Sequence, residues 1–127
     1  MERAIAKRLD EWADHPRRKP LIVRGARQVG KTWVVQDFGR RRFAGRVHTI
    51  DLERRRDLHV LFAEGLDPGR ILSALESILG RTIMPGLDLV FFDEIQACPR
   101  AVTALRYFFE DIPQLHVVAA GSLLEFA

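Results

Sequence analysis

The sequence predicts an α/β domain of three layers, a parallel sheet with helices on both faces, and three observations carry that prediction. Short apolar runs suited to buried strands alternate with stretches whose apolar residues recur every three or four positions. Turn and breaker residues, among them Pro16, Gly39, Asp67-Pro68, Gly80 and Pro85-Gly86, punctuate the alternation. One run, LDLVFFDE (87–94), is apolar on both faces, as a strand covered by helices on both sides requires. Strands alternating with helices argue for parallel pairing through right-handed crossovers.

Taken in order, Ile5, Leu9 and Trp12 share one helical face and predict an N-terminal helix over about residues 2–15, stopping before Pro16. PLIVRG (20–25) reads as a short buried strand, and Gly30 to about Phe38 as a helix closed by Gly39. RVHTIDLE (46–53) is the second strand. Leu58, Leu61 and Phe62 mark one helical pattern; Ile71, Leu72, Leu75, Ile78 and Leu79 mark another, opened by Asp67-Pro68 and closed by Gly80. After the strand at 87–94, Pro99 opens a helix carrying Val102, Leu105, Phe108 and Phe109, and LHVVAAG (115–121) is the fourth strand. Phe91, Phe92, Phe108, Phe109 and Trp33 lie in these buried patterns and are expected in the core rather than on a base-stacking surface.

Composition narrows the class. The 127 residues are one domain's worth, and 47% hydrophobic with 29% charged residues favours neither disorder nor a fibrous repeat. No apolar stretch approaches the roughly 20 residues that span a bilayer, and MERAIAKRLDEW lacks a signal peptide's apolar centre, so a cytoplasmic protein without a membrane partner is expected. Cys98 is the only cysteine, which excludes an internal disulfide; it reads as a small residue beside a turn. His15, His48, His59 and His116 show no metal-ligand spacing. The arginine clusters 17–19, 40–42 and 54–56 open two readings, solvated faces or phosphate contacts to nucleic acid.

The chemistry concentrates in three places. GARQVGKT (25–32) fits G-x-x-x-x-G-K-[ST] and stands between a strand and a helix. Glycines Gly25 and Gly30 let the backbone curl so that the amides of Ala26, Arg27, Gln28 and Val29 converge on a polyphosphate, with the helix opening at Lys31, Thr32 and Trp33 aimed at the same anion. In that setting Lys31 neutralises the β- and γ-phosphates, and Thr32 offers a hydroxyl to Mg²⁺. In VFFDE, Asp93 ends a buried strand where α/β sheets bind ligands, suited to the metal side, and Glu94 beside it is a candidate general base for water. In AAGSL, Ser122 ends the fourth strand, placed either to hydrogen-bond a γ-phosphate or its attacking water, or to cap a following helix.

Through GARQVGKT, LDLVFFDEIQACPRAVTALRYFFED and HVVAAGSLLEF the chain resembles prokaryotic AAA-like P-loop ATPases of the additional-strand, catalytic-glutamate type that carry an uncharacterised C-terminal domain. The resemblance implies a three-layer P-loop NTPase fold, ATP and Mg²⁺ as ligands, Lys31 and Thr32 in the phosphate-loop roles, Asp93 and Glu94 as magnesium-side and water-activating acids, and Ser122 as a sensor. Gln96, in DEIQ, matches a family position without a physical role of its own. Such folds have five parallel strands with the phosphate-loop strand between the fourth and the last, so residues 1–127 are expected to be a domain cut after the fourth core strand, without the fifth strand and the C-terminal domain. The expected activity is Mg²⁺-dependent hydrolysis of ATP to ADP and phosphate as a conformational switch. The alternatives are a nucleotide-binding or assembly module without turnover, with a second copy or another protein as partner, and a P-loop kinase. Arg100 and Arg106 are the candidates for an arginine finger.

Overall fold

The computed structural model describes residues 2–25 and 30–122. Its helices are α1 (Glu2–Asp14), α2 (Lys31–Arg42), α3 (His59–Ala63), α4 (Pro68–Leu79) and α5 (Pro99–Asp111), and its strands are β1 (Leu21–Gly25), β2 (Val47–Asp51), β3 (Leu89–Asp93) and β4 (His116–Ser122). Short 3₁₀ turns at Arg56–Leu58 and Ile95–Ala97 precede α3 and α5. The four strands form one parallel sheet in the order β1-β4-β3-β2. Parallel pairing brings every strand's carboxyl end to the same edge, where the candidate site residues lie.

Alternation along the central strands explains why their sequence is apolar throughout. Leu89 and Phe91 of β3, with Val118 and Ala120 of β4, pack against Leu9 of α1 and Val34, Val35 and Phe38 of α2. Val90 and Phe92, with Val117 and Ala119, face the other way, onto Phe62 of α3, Ile71 and Leu75 of α4, and Ala104 and Phe108 of α5. Successive side chains point to opposite faces, so a strand buried on both sides is apolar at every position. Phe38, Phe62, Phe91, Phe92 and Phe108 are fully buried, each contributing about 2–3 kcal/mol of apolar transfer.

Three expectations need correction. The helix after the glycine-rich turn does not close at Gly39 but continues to Arg42. Gly39 is buried inside it, and a Cβ there would lie 2.1 Å from Val47 Cγ2, so this glycine lets α2 settle on β2. The stop is built further on, by Ala44 at φ 52° and Gly45 at φ 78°. Trp33 is not in the core: it is 58% exposed, because the inward face of α2 is formed by Val34, Val35 and Phe38 and position 33 falls on the outside. Phe109 is half-buried, with the Lys19 ammonium 5.5 Å from its ring centre.

The other signals lie as expected. Asp67 and Pro68 open α4 and Gly80, at φ 67°, closes it. Cys98 is buried between the 3₁₀ turn and α5, and burial pushes its thiol pKa up. Arg40 and Arg41 pair with Asp37, while Arg41 and Arg42 reach Asp10 and Arg42 also reaches Asp14, tying α2 to α1 through exposed ion pairs of small individual worth. No helix among the described residues is long and apolar enough to cross a membrane.

Candidate functional site

At the carboxyl edge β1 ends on Gly25, which is register partner to Ser122 of β4. The chain re-enters the described structure at Gly30, whose φ of 77° and ψ of 20° are left-handed, a conformation that suits glycine and turns the backbone into the first turn of α2. Ala26, Arg27, Gln28 and Val29, expected to line the turn, lie outside the described residues. Lys31 is 7% exposed and its Nζ donates to the Gly25 carbonyl at 3.1 Å, so the ammonium folds back across the opening between strand and helix. Trp33 stands exposed one residue past Thr32.

Thr32 joins this turn to the acidic strand end: its Oγ1 donates to Asp93 Oδ2 at 2.7 Å across 61 positions of sequence. Asp93 is 5% exposed, and its other oxygen accepts the Glu94 N–H at 2.9 Å. Burial raises the Asp93 pKa; these two hydrogen bonds oppose the rise, and the carboxylates of Glu94 and Asp51 reinforce it. Burial thus outweighs the two hydrogen bonds that the described residues supply.

Glu94 has a left-handed backbone, φ 51° and ψ 47°, and starts the 3₁₀ turn. Its Oε2 accepts from Gln96 Nε2 at 2.7 Å, and Gln96 Oε1 accepts the Ser122 N–H at 3.3 Å. Ser122 itself is 5% exposed. Its capping alternative concerns residues 123–127, outside the described structure.

The sequence reading missed Asp51 and, for Gln96, the role. Asp51 ends β2 as register partner of Asp93, and its Oδ1 accepts the N–H groups of Glu53 and Arg54 at 3.0 Å each. The rule that singled out Asp93, an acid closing a strand, applies equally to Asp51 in HTIDLE. Gln96 was marked by the resemblance in DEIQ, but its partners become visible only once β3 and β4 are known to be neighbours. The arginines of α5 lie elsewhere: Arg100 Nε donates to the Phe62 carbonyl at 3.2 Å, and Arg106 Nε to Glu110 Oε2 at 3.0 Å.

Among the described residues no group of three or more His, Cys, Asp or Glu side chains is arranged to hold a metal ion. The Thr32 hydroxyl and Asp93 carboxylate are hard oxygen donors already in contact, however, and that pair fits Mg²⁺, which takes few protein ligands and completes its shell with phosphate oxygens and water.

A four-stranded parallel sheet flanked by helices, with a Gly-Lys-Thr helix start and an acid-ended neighbouring strand at its carboxyl edge, defines a P-loop NTPase-like domain. The family model for the AAA domain matches residues 17–127, and the chain belongs to that family. At the family level it is a nucleotide-binding domain of ATPase type. A comparison with curated proteins finds no match.

Proposed function

We propose that the protein binds ATP with Mg²⁺ and hydrolyses it to ADP and phosphate, the cycle serving as a conformational switch. The observation that carries this reading is the 2.7 Å contact between Thr32 Oγ1 and Asp93 Oδ2, which unites the phosphate-binding turn with the acidic strand end. Gly25, Gly30 and the intervening amides would cradle the triphosphate, with Lys31 Nζ exchanging the Gly25 carbonyl for phosphate oxygens. Thr32 and Asp93 would hold Mg²⁺. When bound, the ion neutralises charge on the phosphate oxygens. Trp33, exposed at the first turn of α2, would lie against the nucleotide.

For turnover, Glu94 accepts a proton from water as the water oxygen bonds to the γ-phosphorus and the bond to the β–γ bridging oxygen breaks, leaving ADP and inorganic phosphate. Ser122, register partner of Gly25, would hydrogen-bond the γ-phosphate or that water. The raised pKa of Asp93 supports the reading, because burial that disfavours an ionised carboxylate is what an incoming cation relieves.

Calorimetry with Mg·ATP and phosphate release measured on one sample test the proposal. Lys31→Ala should weaken binding by about 2–3 kcal/mol, tens to a hundredfold in Kd. Glu94→Gln should bind normally and lose about 10²–10⁴ in turnover. If both variants bind and hydrolyse ATP as the parent does, the assignment fails. Binding without turnover is the second reading; among the described residues β1 is the outer strand of the four, with β4 as its neighbour. Tight binding with no phosphate release would select it.

A further inference from the structure

Gln96 makes two hydrogen bonds with the two ends of one amide. Its carbonyl oxygen takes the N–H of Ser122, 26 positions along the chain, and its amino group donates to the Glu94 carboxylate. The orientation is fixed by chemistry, since a flipped amide would set oxygen against carboxylate and N–H against N–H. Glu94 needs such a restraint. It leaves the end of β3 in a left-handed conformation that disfavours side chains with a Cβ, and its own side chain is only partly buried, so backbone packing alone does not aim the carboxylate. The 3₁₀ turn Ile95–Ala97 places residue 96 to reach both groups, with Ile95 fully buried as the anchor of the turn.

We propose that Gln96 is a positioning residue: its amide ties the water-activating Glu94 to the end of β4, so that Glu94 is aimed only when Ser122 is in place. The inference rests on the roles proposed above for Glu94 and Ser122, and it deepens them into a coupling. A shift of the β4 end on engaging or releasing a γ-phosphate moves the Ser122 N–H, and the amide passes that movement to the base. A carboxylate misplaced by about 1 Å costs on the order of 10²-fold in rate, so a single amide is sufficient to gate turnover.

Gln96→Glu separates positioning from mere packing. The substituted side chain has the same shape and keeps an oxygen for the Ser122 N–H, but it sets a second carboxylate against Glu94. Turnover should fall about 10²-fold while the Kd for Mg·ATP and the melting temperature stay near parental values; a space-filling role would leave turnover unchanged as well. A second measurement needs no activity. In ¹⁵N-resolved spectra, Glu94→Ala should shift the Ser122 amide resonance in the parent background and leave it unmoved in the Gln96→Ala background. A Ser122 resonance indifferent to Glu94→Ala, or parental turnover in Gln96→Glu, overturns the coupling. A parent that shows the spectral coupling but releases no phosphate would instead overturn the hydrolytic reading and leave the coupling standing.

Discussion

Two aspartates bracket a single strand: Asp88 immediately precedes β3 and Asp93 ends it, and both are buried, at 1% and 5% exposure. Their surroundings are opposite. Burial pushes the Asp88 carboxyl up, but His48 Nε2 at 2.8 Å, the Met84 N–H at 3.0 Å and the Arg46 guanidinium outweigh it and hold the pKa below its usual value. Asp93 has a hydroxyl and one N–H, with two more carboxylates nearby, and burial wins. At the amino edge the buried carboxylate is met by donors of the chain itself. At the carboxyl edge the described residues give Asp93 fewer donors than Asp88 has, and such unevenness is characteristic of a binding edge.

The largest test of this contrast is Asp88→Ala. Removing the shared acceptor leaves His48, 4% exposed, and Arg46 without their common partner, and about 3–4 kcal/mol of unfolding free energy should be lost in urea titrations at pH 7. A loss below about 1 kcal/mol would mean the amino edge is not held by this cluster. The charge of Asp88 contributes above its unfolded value of 3.8 and is withdrawn only as pH falls through its lower folded value.

Next in size is the response to mild acid, which belongs to the amino edge through His116 at the start of β4. Burial, then the neighbouring Arg18, lower its pKa from 6.5 to about 4. Between those values the unfolded chain binds the proton that the folded chain refuses, so stability should fall by about 3 kcal/mol as pH drops from 6.5 to 4. Trp12 and Phe43 meet the ring edge-on at 6.2 and 4.8 Å, and His116→Phe should keep that packing and flatten the slope. An unchanged slope would move the acid sensitivity to another group.

How much of this was readable from the sequence follows the same divide. The strands and most helices were legible because burial on both faces of a parallel sheet leaves uninterrupted apolar runs, as in LVFF and HVVAA. Gly30, Lys31, Thr32, Asp93 and Ser122 were legible because each sits at a strand end or helix start that the pattern itself marks. The role of Gln96 and the Asp88–His48 contact were not, since the partners lie 26 and 40 positions apart and meet only through the strand order β1-β4-β3-β2. Gly39 misled for a related reason: as a local signal it ends a helix, and only the approach of Val47 shows why a side chain is excluded there.

The smallest predicted effect is also the one whose sign decides the comparison. A folded pKa raised above 3.8 means that ionised Asp93 costs stability, a cost that appears as pH rises through the window between the unfolded and folded values. Asp93→Asn removes the charge while its carbonyl can still accept from Thr32 or from the Glu94 N–H, and the Thr32 hydroxyl can reverse to accept from the new amide. At pH 7 the variant should therefore be more stable than the parent by about 1 kcal/mol, roughly 4 °C in Tm. Mg·ATP should raise the parent's Tm and raise the variant's less, since the carboxylate proposed to hold the ion is gone. Destabilisation by Asp93→Asn comparable to that of Asp88→Ala would show that both ends of β3 are structural in the same sense, and the carboxyl edge would lose the electrostatic argument that makes it a site.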